Sequence, residues 1–251
     1  MNDFSRQQAG SIPVGRADMA VDAGLRSFML GVYNKMALGL VISGALAYIS
    51  ATVEPIRNVV LAPPIVYAVM FGPLALLLIS MFTMKNPSPT GANLLYWSIV
   101  VLMGTGLGVT LMVYGGQPGG MMDIAKAFFI TAAAFGSLSL WGYTTKKDLS
   151  GWGSFLIMGV FGMIIASLVN FGVAAFTGAP IAGFSFIISI VGVLLFSAIT
   201  AWETQQLKYS YYQLAGDARG LAVATTYGAL NLYITFINLF RFILSLISSR
   251  D

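Results

Sequence analysis

The stretch that decides the fold runs from Pro180 to Trp202, reads PIAGFSFIISIVGVLLFSAITAW, and is followed directly by Glu203. Because about 20 mainly apolar residues cross the hydrocarbon core of a bilayer as a helix, this run predicts a transmembrane helix. A carboxylate at the end of such a run is costly in low dielectric unless it is paired, hydrated or protonated. Glu203 is therefore a functional candidate, although a helix end among lipid headgroups would simply leave it solvated.

The composition places most of the chain in the membrane. Of its 251 residues, 57% are hydrophobic and only 9% are charged, whereas soluble domains carry roughly 25% charged residues. Cysteine and histidine are both absent, which excludes disulfides, thiolate catalysis and Cys or His metal sites. The net charge of +4 is small and dispersed, so nucleic acid is not an expected partner.

Seven apolar segments predict an all-α, polytopic membrane protein. Residues 1–26 are polar and are expected to form a mobile cytoplasmic tail without a signal peptide, and residues 27–251 the membrane domain. The last span is the most polar, so a six-span or re-entrant arrangement stays open. The predicted spans are Met36–Val53, Ile65–Met84, Ala92–Tyr114, Ala125–Tyr143, Trp152–Phe176, Ile181–Trp202 and Leu221–Phe240.

The distribution of basic residues predicts the orientation, because cytoplasmic loops carry an excess of lysine and arginine. With the N-terminus inside, nine of the 13 basic residues fall on the inner side and four on the outer side. The bias favours a cytoplasmic N-terminus and an outer C-terminus in a cell inner membrane. The inner set is Arg6, Arg16, Arg26, Lys35, Lys85, Lys146, Lys147, Lys208 and Arg219, and the outer set is Arg57, Lys126, Arg241 and Arg250.

A polar stripe marks the last span. Tyr227, Asn231, Thr235 and Asn238 are spaced so that they share one helical face. Lipid offers no partner for an amide or a hydroxyl, so this face should turn toward protein or water. It either forms interhelical hydrogen bonds or lines a polar cavity. Arg241 ends the face, and either extends to the outer interface or pairs within the bundle.

The residue types argue against the known intramembrane enzymes, and no enzymatic activity or cofactor is predicted. Serine–histidine and HExxH chemistry need histidine, which is absent. An intramembrane aspartyl protease needs two aspartates inside its spans, and the predicted spans contain none. A channel, leak or regulatory role is what remains.

The chain resembles the bacterial members of the Bax inhibitor-1 (transmembrane BAX inhibitor motif) family. The similarity covers nearly everything after the N-terminal tail, and the order and spacing of the matching segments carry it. These segments are Val32–Leu40, Tyr67–Leu74, Lys146–Ser150, Trp202–Lys208 and Ala229–Phe240. The resemblance implies a seven-helix fold in which six helices wrap a central last helix.

The resemblance also implies a pH-sensitive calcium leak that is gated by two acids, one ending the sixth span and one in the seventh. Glu203 matches the first acid, but Thr235 stands at the position of the second. Like-charge repulsion between two carboxylates brings a proton switch toward neutral pH, and this chain lacks that repulsion. We therefore expect a leak that is weaker, or less dependent on pH, than in relatives with both acids.

Two further expectations concern the surroundings of Glu203. A basic neighbour such as Lys85 or Lys208 would hold the carboxylate charged, as a latch. Calcium prefers several oxygen ligands, so one carboxylate makes a weak calcium site at best. The residues expected to line the ion pathway or the gate are Glu203, Thr235, Asn231 and Asn238.

Two functions stay open. The first is a leak pathway for calcium or other cations, with Glu203 as filter or gate. The second is a non-conducting regulator that binds an inner-membrane protease or stress-response machinery. The polar stripe would line a pore in the first case and serve rigid packing in the second.

Overall fold

The computed structural model describes residues 14–84, 86–179, 181 and 183–248. Within these ranges the chain is helical apart from short connections, and no strand is present. The helices are α1 (Val14–Thr52), α2 (Glu54–Leu61), α3 (Ile65–Thr83), α4 (Pro89–Gly115), α5 (Gly120–Thr144), α6 (Gly153–Thr177), α7 (Phe184–Gln213) and α8 (Ala218–Ser248). A single 3-10 turn, Ser150–Trp152, precedes α6.

Seven of these helices are long and apolar enough to cross a membrane, which confirms the predicted all-α, seven-span class. The eighth, α2, is a short connecting helix that the sequence analysis did not predict. It has Glu54 in its first turn and a proline among its first two residues. Both features favour a helix start, because an acid complements the helix dipole and proline lacks the amide hydrogen that a first turn leaves unpaired.

The helix ends extend beyond several predicted spans. The apolar run ends at Trp202, but α7 continues to Gln213, so Glu203 lies inside a helix and not at its end. The turn between α7 and α8 is correspondingly short. At the other end of the chain, α1 begins at Val14. The boundary predicted after residue 26 therefore falls within a helix, and residues 1–13 lie outside the described part of the chain.

The last helix is central. It packs against α1, α4, α5 and α7, and its fully buried side chains include Leu230, Leu232, Tyr233 and Leu239. The two remaining spans lie further out, because α3 packs chiefly on α4 and α6 on α7. The central position expected for the last helix is thus confirmed: four helices pack closely against it, and α3 and α6 lie further out.

Glycine residues allow neighbouring helices to approach one another closely. A Cβ atom at Gly104 would lie 2.7 Å from the Ser43 Cα atom of α1, and one at Gly142 would lie 2.3 Å from the Ala201 carbonyl oxygen of α7. Both distances are shorter than van der Waals contact. The glycines therefore permit the close approach of α4 to α1 and of α5 to α7 that positions the helices around α8.

Candidate functional site: the Glu203 cleft

Glu203 faces α8. The Thr235 hydroxyl donates a hydrogen bond of 2.9 Å to the Glu203 Oε2 atom. Thr235 is buried, whereas Glu203 is half-buried. The two helices pack closely, and their pairing places the single acid of α7 opposite the Thr235 hydroxyl of α8.

No positive side chain neutralises Glu203 among the residues that the structure describes. In that part of the chain the one ion pair joins Lys126 to Asp123, at 3.0 Å. Lys208 instead donates to the Tyr143 carbonyl oxygen at 2.6 Å and lies over the ring of that tyrosine. A latch between Lys208 and Glu203 is therefore not formed here. The other suggested partner, Lys85, lies outside the described residues.

A cleft opens beside the carboxylate, between the second half of α7 and the first half of α8. It encloses about 520 Å³, including the part open to its surroundings. Its polar groups come from both helices, so a cation or water entering it would meet one carboxylate, amides and hydroxyls. We call it the Glu203 cleft, and it is lined by Trp202, Glu203, Gln206, Leu207, Ser210, Ala224, Tyr227, Gly228 and Asn231.

The predicted stripe of α8 is divided between two environments. Asn231 is exposed in the Glu203 cleft, and Thr235 is buried against α7. Asn238 is half-buried, does not line the cleft, and donates its side-chain amide to the Ile234 carbonyl oxygen at 2.9 Å. Tyr227 also lines the cleft, where its hydroxyl lies 3.8 Å from the sulfur atom of Met84.

An accessible strip continues along α8 beyond the cleft. Between positions 231 and 242, only Asn231, Ile234, Asn238, Arg241 and Phe242 are not buried. Their spacing follows one helical face. The strip remains accessible because α3 and α6 pack chiefly on α4 and α7 and not on α8.

Gln205 is a residue that the sequence analysis did not single out. Its side-chain oxygen accepts a hydrogen bond of 2.7 Å from the Leu149 amide, and its nitrogen donates to the Lys147 carbonyl oxygen at 2.8 Å. Both contacts fix the loop before α6 to α7, two residues from Glu203. Two adjacent glutamines just beyond an apolar run were the available signal.

The same loop carries an acid of its own. Asp148 is exposed and accepts a hydrogen bond of 2.9 Å from the Ser150 amide. This backbone hydrogen bond lowers the pKa of Asp148 below its ordinary value. Asp148 therefore remains charged at neutral pH and holds the first amide of the 3-10 turn that leads into α6.

Trp202, the residue before Glu203, carries a buried hydrogen-bond donor that is left unpaired by the described residues. Its indole Nε1 atom is buried and has no hydrogen-bond partner among the described residues. The ring packs over Gly153, where a Cβ atom would lie 2.9 Å from the ring. Gly153 thus makes room for the indole of a residue that also lines the Glu203 cleft.

The sequence of this chain is similar to known proteins over nearly its full length. Residues 25–251 match the family described as "Inhibitor of apoptosis-promoting Bax1". A protein of Caulobacter vibrioides is 52% identical, covering 98% of this chain and 97% of its own length. A protein of Rickettsia prowazekii, RP147, is 36% identical over 91% of this chain and 92% of its own length. The inner membrane protein YbhL of Escherichia coli is 32% identical, covering 94% and 97%.

The family match covers nearly the whole described bundle, including α7 and α8, which carry Glu203 and Thr235. The relatives align over almost their full lengths, so the similarity concerns the entire fold and not a single motif. On these grounds the chain belongs to the Bax inhibitor-1 family of multi-pass membrane proteins.

Proposed function

We propose that the protein is a leak pathway for cations, calcium among them, in a cell inner membrane. The observation that carries the proposal is the Glu203 carboxylate, which lies inside a membrane-spanning helix, opens to a polar cleft, and has no ion-pair partner among the described residues. An unpaired acid at such a position attracts cations. The inner-membrane location is supported by the name of the Escherichia coli relative.

The ligands around Glu203 favour weak and transient binding. Calcium prefers six to eight oxygen ligands, and its affinity rises with the number of charged ones. Here Glu203 is assisted by the Thr235 hydroxyl and by Asn231 in the cleft. No group of three or more acids, histidines or cysteines capable of holding a metal occurs in the described ranges. Weak binding suits conduction, because an ion must also leave.

The path beyond Glu203 would follow the accessible strip of α8 from Asn231 to Asn238. Asn238 lies seven residues from Asn231, or about 10 Å along the helix axis. The side-chain nitrogen of Asn238 donates to the backbone of its own helix. Its side-chain oxygen is therefore the group that would face a passing cation. Asn231 and Asn238 are therefore proposed as pathway residues, and Glu203 with Thr235 as the gate.

Glu203→Gln tests the proposal. The purified protein is reconstituted into calcium-free vesicles, and calcium entry is measured with an enclosed fluorescent indicator. Since the attraction between two unit charges 4 Å apart is about 1 kcal/mol even in water, we expect the variant to reduce flux by about fivefold or more. The matched control is Glu54→Gln, which changes the exposed glutamate of α2. It should conduct as the native protein does.

One observation favours the regulatory alternative. The hydrogen bond from Thr235 to Glu203 joins two closely packed helices, and such an interhelical contact would stabilise the bundle without any ion. In that case the protein would act on an inner-membrane protease or stress-response machinery through its surface. The same experiment separates the two functions, because absence of flux in both the native protein and Glu203→Gln would contradict the leak.

A further inference from the structure

A second cleft lies at the opposite end of the α7–α8 pair. It encloses about 790 Å³, including the part open to its surroundings, and shares no residue with the Glu203 cleft. Three helices contribute to it, and α6 forms one wall. We call it the Arg241 cleft, and it is lined by Ser167, Asn170, Phe171, Ala174, Ser185, Ile188, Ser189, Arg241, Phe242 and Ser245.

Arg241 is the charged residue of this lining. Its side chain is accessible, and it makes neither a hydrogen bond nor an ion pair with the residues that the structure describes. A guanidinium carries five N–H donors, and a charge within a membrane-spanning helix normally has a partner. One of its terminal nitrogens lies 3.8 Å from the point that a Cβ atom of Gly106 would occupy. The glycine therefore leaves space next to the guanidinium.

The rest of the lining combines hydroxyl and amide groups with an exposed aromatic ring on one wall. The hydroxyl oxygens of Ser189 and Ser245 lie 2.9 Å apart, and Asn170 donates to the Ser185 hydroxyl at 3.1 Å. Phe171, by contrast, is 61% exposed on α6, the helix that forms the outer wall. Such a cleft suits a ligand with a compact polar head and an apolar body.

We propose that the Arg241 cleft binds the phosphate group of a membrane phospholipid. Phosphate oxygens match the planar fork of a guanidinium, which can donate two parallel hydrogen bonds to them. The serine hydroxyls and the Asn170 amide supply further polar contacts, and Phe171 lies where an acyl chain would pass. This site does not depend on cation conduction, since its residues are separate from those of the Glu203 cleft.

The test uses the full-length protein, purified in detergent and freed of lipid. Native mass spectrometry compares the binding of phosphatidylglycerol, of diacylglycerol with the same acyl chains, and of inorganic phosphate. We expect the native protein to bind phosphatidylglycerol much more tightly than either of the others. Arg241→Gln should weaken that binding by about tenfold or more, as expected when charge-assisted hydrogen bonds are lost.

The matched control is Arg219→Gln, which removes an exposed arginine near the start of the same helix and should leave the affinity for phosphatidylglycerol unchanged. Native affinity in Arg241→Gln would overturn the proposal. Equal binding of diacylglycerol to the native protein would show that no phosphate is recognised. Equal binding of inorganic phosphate would show that the ligand is a free anion and not a lipid. The last two comparisons need no variant, so they decide the question even if Arg241→Gln fails to fold.

Discussion

Glu203 meets the hydroxyl of Thr235, at the position where the family resemblance implies a second acid. The contact is a hydrogen bond of 2.9 Å from Thr235, and it leaves one formal negative charge at the junction of α7 and α8. A single carboxylate attracts a divalent cation less strongly than two. It also lacks the coupled proton uptake of two neighbouring acids.

Under the proposed leak function, Thr235→Asp should therefore strengthen calcium binding and couple the flux to protonation. A second carboxylate adds an attraction of about 1 kcal/mol or more at 4 Å, so we expect calcium to half-saturate the flux at a concentration about fivefold lower. The flux should also change more steeply with pH, since two acids would share protons. Calcium entry into vesicles, measured across a pH series, gives both quantities.

Thr235→Asn is the control for that experiment, because it has the size of the aspartate without its charge. We expect its flux and pH response to stay close to those of the native protein. If Thr235→Asp behaves in the same way as Thr235→Asn, the missing acid does not explain the activity of this chain.

The partners of Glu203 were only partly predictable from sequence. The contact with Thr235 follows from an acid after one apolar run and a polar stripe in the next, since both groups avoid lipid. The position of Lys208 does not follow. Its ammonium binds the Tyr143 carbonyl at the end of α5, and the carbonyls at helix ends have no partner within their own helix. Nothing local to Lys208 indicates that a helix distant in sequence ends there.

At the scale of elements, α7 is longer than its apolar run. The hydropathy pattern ends at Trp202, whereas the helix continues through Gln205 and Lys208 to Gln213. The extension is stabilised by contacts with the loop before α6 and with the end of α5. Such tertiary contacts compensate for the lower apolarity, and hydropathy alone does not reveal them.

Gln205 should accordingly control the order of that loop. Gln205→Ala leaves the amide of the buried Leu149 without its acceptor, and an unsatisfied buried donor costs about 1–3 kcal/mol. We expect trypsin to cleave faster after Lys146 and Lys147, because cleavage requires local opening of the chain. Cleavage is followed by mass spectrometry on the protein in detergent.

Gln206→Ala is the matched control, since Gln206 lines the Glu203 cleft and does not hold the loop. Its cleavage rate should equal that of the native protein. Equal rates in Gln205→Ala and Gln206→Ala would mean that the loop is fixed by other contacts.

At the scale of the whole molecule, the described residues contain seven helices long and apolar enough to cross a membrane. If each crosses it, the beginning of α1 and the end of α8 lie on opposite sides of the bilayer. The number of spans was predictable, because each apolar run is long and is bounded by proline, glycine or charge. The packing order was not, since hydropathy does not tell which helices surround α8. That order depends on close contacts such as Gly104 against Ser43 and Gly142 against Ala201.

The orientation can be tested directly, because the chain has no cysteine. Lys147→Cys introduces a thiol into the loop before α6, and Gln117→Cys introduces one into the turn between α4 and α5. With a cytoplasmic N-terminus, we expect a membrane-impermeant maleimide added to intact cells to label Gln117→Cys but not Lys147→Cys. Inverted membrane vesicles should give the opposite result. The reverse pattern would place the N-terminus outside.

The central position of α8 has a consequence for biosynthesis. Translation proceeds from the N-terminus, so α8 leaves the ribosome after all four of the helices that pack against it. Until then the nascent chain lacks the Tyr233 hydroxyl, which lies 2.7 Å from the hydroxyl of Ser43, and the Ser245 hydroxyl, which pairs with Ser189. The first six spans therefore enter the bilayer before their common centre exists, and the native bundle is complete only when the final helix is released.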